Sequence, residues 1–137
     1  MEKSEVRAIV EREAESLLRS FGVSPWKLTI AYDLVGDEQL GECSRLLDYQ
    51  TATIRLNPSL LDDEAAVLST LRHELLHIVL SPLDLYTATV GPLVEGPLRD
   101  VLERVWTHAL ERTVINLERL HRGLTSDQRP PADPVDS

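Results

Sequence analysis

The chain has 137 residues, of which 42% are hydrophobic, and a formal net charge of −9, which is typical of one globular domain with its own core. Its Lys and Arg residues are scattered, so we expect no binding to nucleic acid or to an anionic membrane surface. No apolar run approaches the ~20 residues that cross a bilayer. The opening residues lack the apolar stretch of a signal peptide, and Cys43 is the single cysteine, so we expect a cytoplasmic protein without an internal disulfide.

The first half of the chain predicts one helix followed by three short strands. Apolar residues recur with helical spacing over residues 5–21, and Gly22 follows them. Apolar and polar residues alternate over residues 26–33 and 51–56, which predicts two strands. A less regular run at residues 42–48 predicts the third strand. Together these strands indicate a small sheet.

The second half predicts two longer helices. The first covers residues 63–80, with Ser59 or Asp62 as its candidate N-terminal cap, and ends before a proline. The last covers residues 98–122 and is expected to stop at Gly123. The fold class is therefore α+β, with an N-terminal helix, a three-stranded sheet, an active-site helix and a long C-terminal helix.

The remaining segments complete the predicted domain organisation. Residues 82–97 contain two Gly-Pro pairs and predict a loop that lines a pocket. We expect residues 1–123 to form one domain and residues 124–137, which are rich in proline, to form a disordered tail. Cys43 is expected to be an ordinary structural side chain. The predicted core includes two tryptophans and an apolar stripe of the last helix, namely Trp26, Trp106, Val101, Leu102, Val105, Ala109 and Leu120.

One motif carries chemistry. His73-Glu74-Leu75-Leu76-His77 lies inside the predicted third helix. Residues four apart lie on one helix face, so the two imidazoles can bind one Zn²⁺ at ~2.0–2.1 Å. Glu74 projects beside the ion, where its carboxylate can take a proton from a water whose pKa the metal lowers towards ~7. The alternative interpretation is a helix with two partly exposed histidines, an unrelated Glu74 and no metal.

A catalytic zinc site takes three protein ligands, and the motif supplies two. The last helix offers four further candidates, Glu103, His108, Glu111 and Glu118, and Glu95 in the loop is another. His108 can instead donate a hydrogen bond to a substrate carbonyl or to the developing oxyanion, so it is also a candidate catalytic residue. Tyr86 in the loop is a further candidate donor. Any of these side chains can also be an ordinary surface residue.

The motif and its surroundings resemble the zincin superfamily of metallopeptidases. The resemblance spans residues 26–122, and the size is most similar to the minimal single-domain gluzincins and to small metallopeptidases of phage type. It implies a small sheet over the active-site helix, and it implies that Glu111 completes the zinc site with His73 and His77. No His-x-x-Gly-x-x-His extension of the metzincins follows, and no paired cysteines of a zinc ribbon are present.

The sequence therefore predicts a zinc peptidase that acts on a peptide or protein substrate, with Glu74 as general base. The substrate is expected to add to an open strand edge of the sheet. The alternative is a catalytically inactive zinc-binding scaffold or interaction module that keeps the site without turnover. The two hypotheses differ in whether an unfolded protein is cleaved in a metal-dependent way.

Overall fold

The computed structural model describes residues 1–127 and confirms the predicted α+β class. Two single turns of 3₁₀ helix, Pro58–Leu60 and Gly91–Leu93, interrupt the connections between the longer elements. Those longer elements are, in chain order, α1 (Lys3–Ser20), β1 (Lys27–Ala31), β2 (Gly41–Leu46), β3 (Thr51–Leu56), α2 (Glu64–Val79), α3 (Pro82–Val90) and α4 (Pro97–Asp127). No helix within the described part of the chain combines the length and apolar character that crossing a bilayer requires.

The sheet has the strand order β1-β3-β2. Strand β3 is central, pairs in parallel with β1 and antiparallel with β2, and places Ile54 opposite both Ile30 and Cys43. Every second residue of β3 is buried, which is the alternation that the sequence predicted. Strand β2 therefore has one edge that no strand of the sheet covers.

Helices α1 and α2 cover the apolar face of the sheet. They pack against each other, and α2 also contacts β2 and β3. The core is aliphatic and includes Val6, Val10, Ile54, Leu56, Val67, Leu71 and Leu75, all of which are buried. Trp26, which was expected in the core, is partly buried and packs against this cluster. This packing holds α2 in place, and past Ala65 none of its residues is exposed.

The N-terminal cap of α2 is Asp63, so the prediction of Ser59 or Asp62 was wrong. The Asp63 carboxylate accepts a hydrogen bond from the backbone N–H of Ala66 at 2.8 Å. This bond satisfies one of the free N–H groups in the first turn of the helix. Ser59 instead donates its hydroxyl to the side-chain oxygen of Asn57 at 2.7 Å.

The segment predicted as a loop contains a nine-residue helix, α3, followed by a turn of 3₁₀ helix. Pro82 occupies the first turn of α3, where its missing N–H leaves no helix bond unmade. Helix α4 likewise continues past Gly123 to Asp127, so that glycine does not end it. The first residues of the predicted disordered tail are therefore helical, and residues 128–137 lie outside the described residues.

The sequence predicted that the apolar stripe of α4 belongs to the core, and this prediction was wrong. Its large members are between 43% and 60% exposed, namely Val101, Leu102, Val105 and Leu120, and Ala109 is also exposed. The first half of α4 lies beside α3 and the Gly91–Leu93 turn, where Trp106 is half-buried and stacks on Tyr86 with ring centroids 5.6 Å apart. Among the described residues of α4, Val114 is the apolar residue that is fully buried.

Candidate metal centre

His73 and His77 lie one turn apart on the face of α2 that lines a cavity shared with strand β2. Their rings are 5.2 Å apart between centroids and stand at 67° to each other. The side chains are only 29% and 12% exposed, so both rings are held by their surroundings. The helical spacing in the sequence accounts for this placement without any tertiary contact.

Helix α4 brings Glu111 to these two rings. One carboxylate oxygen, Oε2, lies 3.3 Å from Nε2 of His73, and the other, Oε1, lies 3.0 Å from Nε2 of His77. Val114 and Glu118, which follow Glu111 in the chain, hold α4 against α2. Val114 is fully buried, and Glu118 accepts a hydrogen bond from Ser69 of α2 at 3.1 Å. Because these residues follow Glu111 by about one and two turns, the packing aims its carboxylate at the histidines.

The three side chains fit a metal ion. One ligand atom from each of His73, His77 and Glu111 can be chosen so that all three lie within 4.8 Å of one another. Two donors of a tetrahedral site with bonds of ~2.0–2.1 Å lie roughly 3.3 Å apart, close to the separations of the carboxylate oxygens from the ring nitrogens. Two imidazole nitrogens and one carboxylate are a donor set that zinc accepts and that leaves a fourth position open.

Glu74 is buried beside this group, with 6% of its surface exposed. Burial and, after it, the negative charge of Glu111 raise the pKa of its carboxyl to about 7, against the opposing charge of Arg45. A carboxyl group whose pKa lies near neutrality can both accept and return a proton under physiological conditions. A perturbed group of this kind inside a cavity is a physical marker of a functional site.

Strand β2 forms the wall of the cavity opposite α4. Alternate residues of β2 face α2, since their partners on β3 are the buried Leu56, Ile54 and Ala52. The cavity has a volume of about 350 Å³. Besides Glu74 and the three candidate ligands, it is lined by Gln39, Gly41, Glu42, Cys43 and Arg45.

Gly41 allows β2 to lie close to the face of α2 that carries Thr70 and Glu74. A Cβ atom at this position would lie 2.8 Å from Cγ2 of Thr70, 3.3 Å from the carbonyl oxygen of Arg55 and 3.4 Å from Cγ of Glu74. The backbone oxygen cannot move without shifting β3. The absence of a side chain at Gly41 therefore sets the distance between the strand and Glu74.

We expect Gly41→Ala to lower the free energy of unfolding by about 1–3 kcal/mol, because the added methyl group overpacks this contact. Urea denaturation monitored by circular dichroism would measure the change. Gly123→Ala is the matched control: nothing lies within 4 Å of a Cβ atom there, and alanine in a helix is more stable than glycine by up to about 1 kcal/mol. Equal effects of the two substitutions would contradict the close contact at Gly41.

Cys43 lines the cavity but is not one of the three residues whose ligand atoms converge. Burial raises the pKa of this thiol to about 11, and the charge of Glu74 adds to the increase. The thiolate form, which binds metals, is therefore scarce at neutral pH. This agrees with the expectation that Cys43 is a structural side chain.

The sequence did not reveal an ion pair at one end of the cavity. Arg45 of β2 donates from Nε to Oδ2 of Asp84 at 2.8 Å and from Nη2 to Oδ1 at 3.1 Å. Asp84 lies on α3, within the segment predicted as a loop. The partners are 39 residues apart, and no spacing rule links positions so distant in the chain.

The structure places the other candidate residues away from the metal group. His108 is exposed and does not line the cavity, since three residues before Glu111 it is rotated by about 60° around α4. Glu103 pairs with Arg99 at 3.1 Å, and Glu118 accepts hydrogen bonds from Ser69 and Arg122. The two loop candidates are also elsewhere: Glu95 is exposed and Tyr86 stacks on Trp106.

Comparison of the chain with protein-family models, with curated proteins and with solved structures found no match in any of the three. The interpretation of the cavity therefore depends on its own geometry and chemistry.

Proposed function

We propose that the protein is a zinc-dependent peptidase that hydrolyses peptide bonds with Glu74 as general base. One observation supports this most strongly: two imidazoles of α2 and a carboxylate of α4 converge in an open cavity, beside a buried carboxyl group whose pKa is close to neutrality. A purely structural zinc site would be closed by a fourth protein ligand. Within the described residues, the group has three members.

His73, His77 and Glu111 would hold the ion, and bound Zn²⁺ would supply Lewis acidity that lowers the pKa of water and polarises a carbonyl group. Glu74 accepts a proton from the attacking water as the water oxygen bonds to the scissile carbon. Glu74 then transfers this proton to the amide nitrogen, the C–N bond breaks, and a carboxylic acid and an amine result. Burial raises the pKa of Glu74, which makes its carboxylate a stronger base towards the attacking water.

The open edge of β2 supports an extended peptide as the substrate. Because β3 pairs with only one side of β2, the backbone N–H and C=O groups on the other side are available to a further strand. A peptide that adds there lies along the wall of the cavity that contains Glu74. Main-chain hydrogen bonds of this kind bind peptides of many sequences.

Metal analysis combined with a cleavage assay tests the proposal. The purified protein should bind about one zinc per chain, cleave an unfolded protein such as reduced casein, lose that activity with a chelator and regain it with added zinc. Stoichiometric zinc without cleavage would instead support an inactive zinc-binding module. A protein that binds no zinc would contradict both.

A further inference from the structure

The cavity contains a positively charged side chain that the proposed chemistry has not used. Arg45 lines it together with Glu74 and His77. The positive charge of Arg45 opposes the rise in the pKa of Glu74 and contributes to the lowered pKa of His77. The candidate donors taken from the sequence, His108 and Tyr86, do not line this cavity. Among the described residues that line the cavity, Arg45 is the only arginine or lysine.

The guanidinium of Arg45 is held in a fixed orientation. The bidentate contact with Asp84 uses its Nε and Nη2 atoms, and a fork of this kind restrains both the position and the plane of the group. The side chain is only 19% exposed. A guanidinium has five N–H donors; the pairing with Asp84 uses two of them and Cys43 is a further hydrogen-bond partner, so donors remain for another acceptor.

A fixed, partly buried donor suits an acceptor whose negative charge appears only during a reaction. Hydrogen bonds of this type are worth more in a water-poor site than in bulk water, and their orientation costs nothing at the moment of reaction. The pairing with Asp84 also compensates the charge of Arg45 while no substrate is present. Such a group is better suited to a transient oxyanion than to permanent binding of a free anion.

We propose that Arg45 is a catalytic residue that donates a hydrogen bond to the scissile carbonyl oxygen as that oxygen becomes negative, and that Asp84 is its positioning residue. The inference rests on the proposed peptidase function. When water adds to the carbonyl carbon, the C=O π electrons move to the oxygen and Glu74 receives the proton of the water. When the C–N bond breaks, the C=O bond re-forms and the proton passes from Glu74 to the amine. Arg45 keeps its own protons throughout.

A purely structural ion pair makes a different prediction. Arg45 and Asp84 join β2 to α3, and replacement of both members of such a pair by apolar residues of similar size is often neutral for stability. A structural role therefore predicts that Arg45→Leu combined with Asp84→Leu leaves catalysis intact in a folded protein. A catalytic role predicts that the same double variant folds, binds zinc and loses activity.

The experiment compares three zinc-loaded variants with the wild type: Arg45→Lys, Asp84→Asn and the Leu/Leu double variant. The double variant should lose 10²–10³-fold in kcat, as is typical for removal of one oxyanion donor, with KM little changed. The single variants should lose less, because Lys keeps the charge without the fork and Asp84→Asn leaves the guanidinium in place but less restrained. Arg99→Lys is the matched control, since Arg99 lies on α4, pairs with Glu103 at 3.1 Å and does not line the cavity.

Two binding measurements separate this inference from the proposed function. Zinc affinity, measured by chelator competition, should be unchanged in all variants. Affinity for a phosphinic peptide, whose tetrahedral anionic group resembles the transition state, should fall in parallel with kcat. An unchanged kcat in the folded double variant, or a rise in KM alone, would overturn the role of Arg45 and leave the peptidase proposal intact. Absence of cleavage by the wild-type protein would overturn both.

Discussion

Glu74→Gln is expected to lower kcat for peptide hydrolysis by about 10²–10⁴-fold, the contribution usual for a general base, while zinc stays bound. Glutamine has nearly the same shape but cannot accept the proton of the attacking water. Glu74 is not a member of the metal group, so the three candidate ligands are unaffected. Steady-state kinetics on a fluorogenic peptide, with metal content measured on the same sample, would check both parts.

The stability of the metal-free protein provides a second readout for the same substitution. The pKa of Glu74 in the folded protein is about 7, above its ordinary value of 4.5. Between these two pH values the folded state holds a proton that the unfolded chain has lost. The stability associated with this group is therefore complete below pH 4.5 and is lost as the pH rises towards and through 7, by roughly 3 kcal/mol. Glu74→Gln should be more stable than the wild type at pH 8 and should lack this pH dependence.

An exposed glutamate provides the control. Glu103→Gln changes a carboxylate that pairs with Arg99 outside the metal cavity, and it should change neither kcat nor the dependence of stability on pH. If Glu74→Gln retained wild-type activity, Glu74 would not be the general base. If it were less stable than the wild type at pH 8 without metal, the burial argument for its raised pKa would be wrong.

The second large effect concerns the metal ligands. His73→Ala, His77→Ala and Glu111→Gln should each abolish stoichiometric zinc binding at low micromolar zinc, and hydrolysis should be lost with it. The two alanine substitutions remove one imidazole donor each, and Glu111→Gln replaces the anionic carboxylate by a weaker, neutral amide oxygen. A metal that binds only the folded state stabilises it by about 2.7 kcal/mol when free zinc exceeds Kd a hundredfold. The three variants should therefore also lose the increase in Tm that zinc causes in the wild type.

His108→Ala is the matched control for the ligand variants. His108 lies on the same helix as Glu111, is exposed and does not line the cavity, so zinc content and the zinc-dependent Tm should remain those of the wild type. Elemental analysis and thermal unfolding with and without zinc would measure both. Loss of zinc in His108→Ala together with retention in Glu111→Gln would replace Glu111 by His108 as the third ligand.

Two regions show where local patterns misled the prediction. Proline and glycine pairs indicated a loop at residues 82–97, yet a proline in the first turn is compatible with a helix, and α3 begins at such a proline. The apolar stripe of α4 indicated a buried face, but burial depends on a neighbour. Within residues 1–127, the first half of α4 lies beside α3 and a short turn, and much of that stripe remains exposed.

The sequence by itself determined the half of the candidate site that depends on helix periodicity. A spacing of four residues places His73 and His77 on one face of any α-helix, and Glu74 between them projects to the side. The alternation of β3, with Ala52, Ile54 and Leu56 buried, was equally local, because side chains in a strand point to opposite faces in turn. These features need no knowledge of the rest of the chain.

Only the tertiary structure decided which residues complete the site. Four side chains of α4 were chemically able to be the third ligand, and the packing of Val114 and Glu118 against α2 brings Glu111 to the histidines. The pairing of Arg45 with Asp84 and the burial of Glu74 likewise depend on how β2, α3 and α4 surround α2. Contacts between residues far apart in the chain follow from the packing of whole elements, which the periodicity of a single segment does not specify.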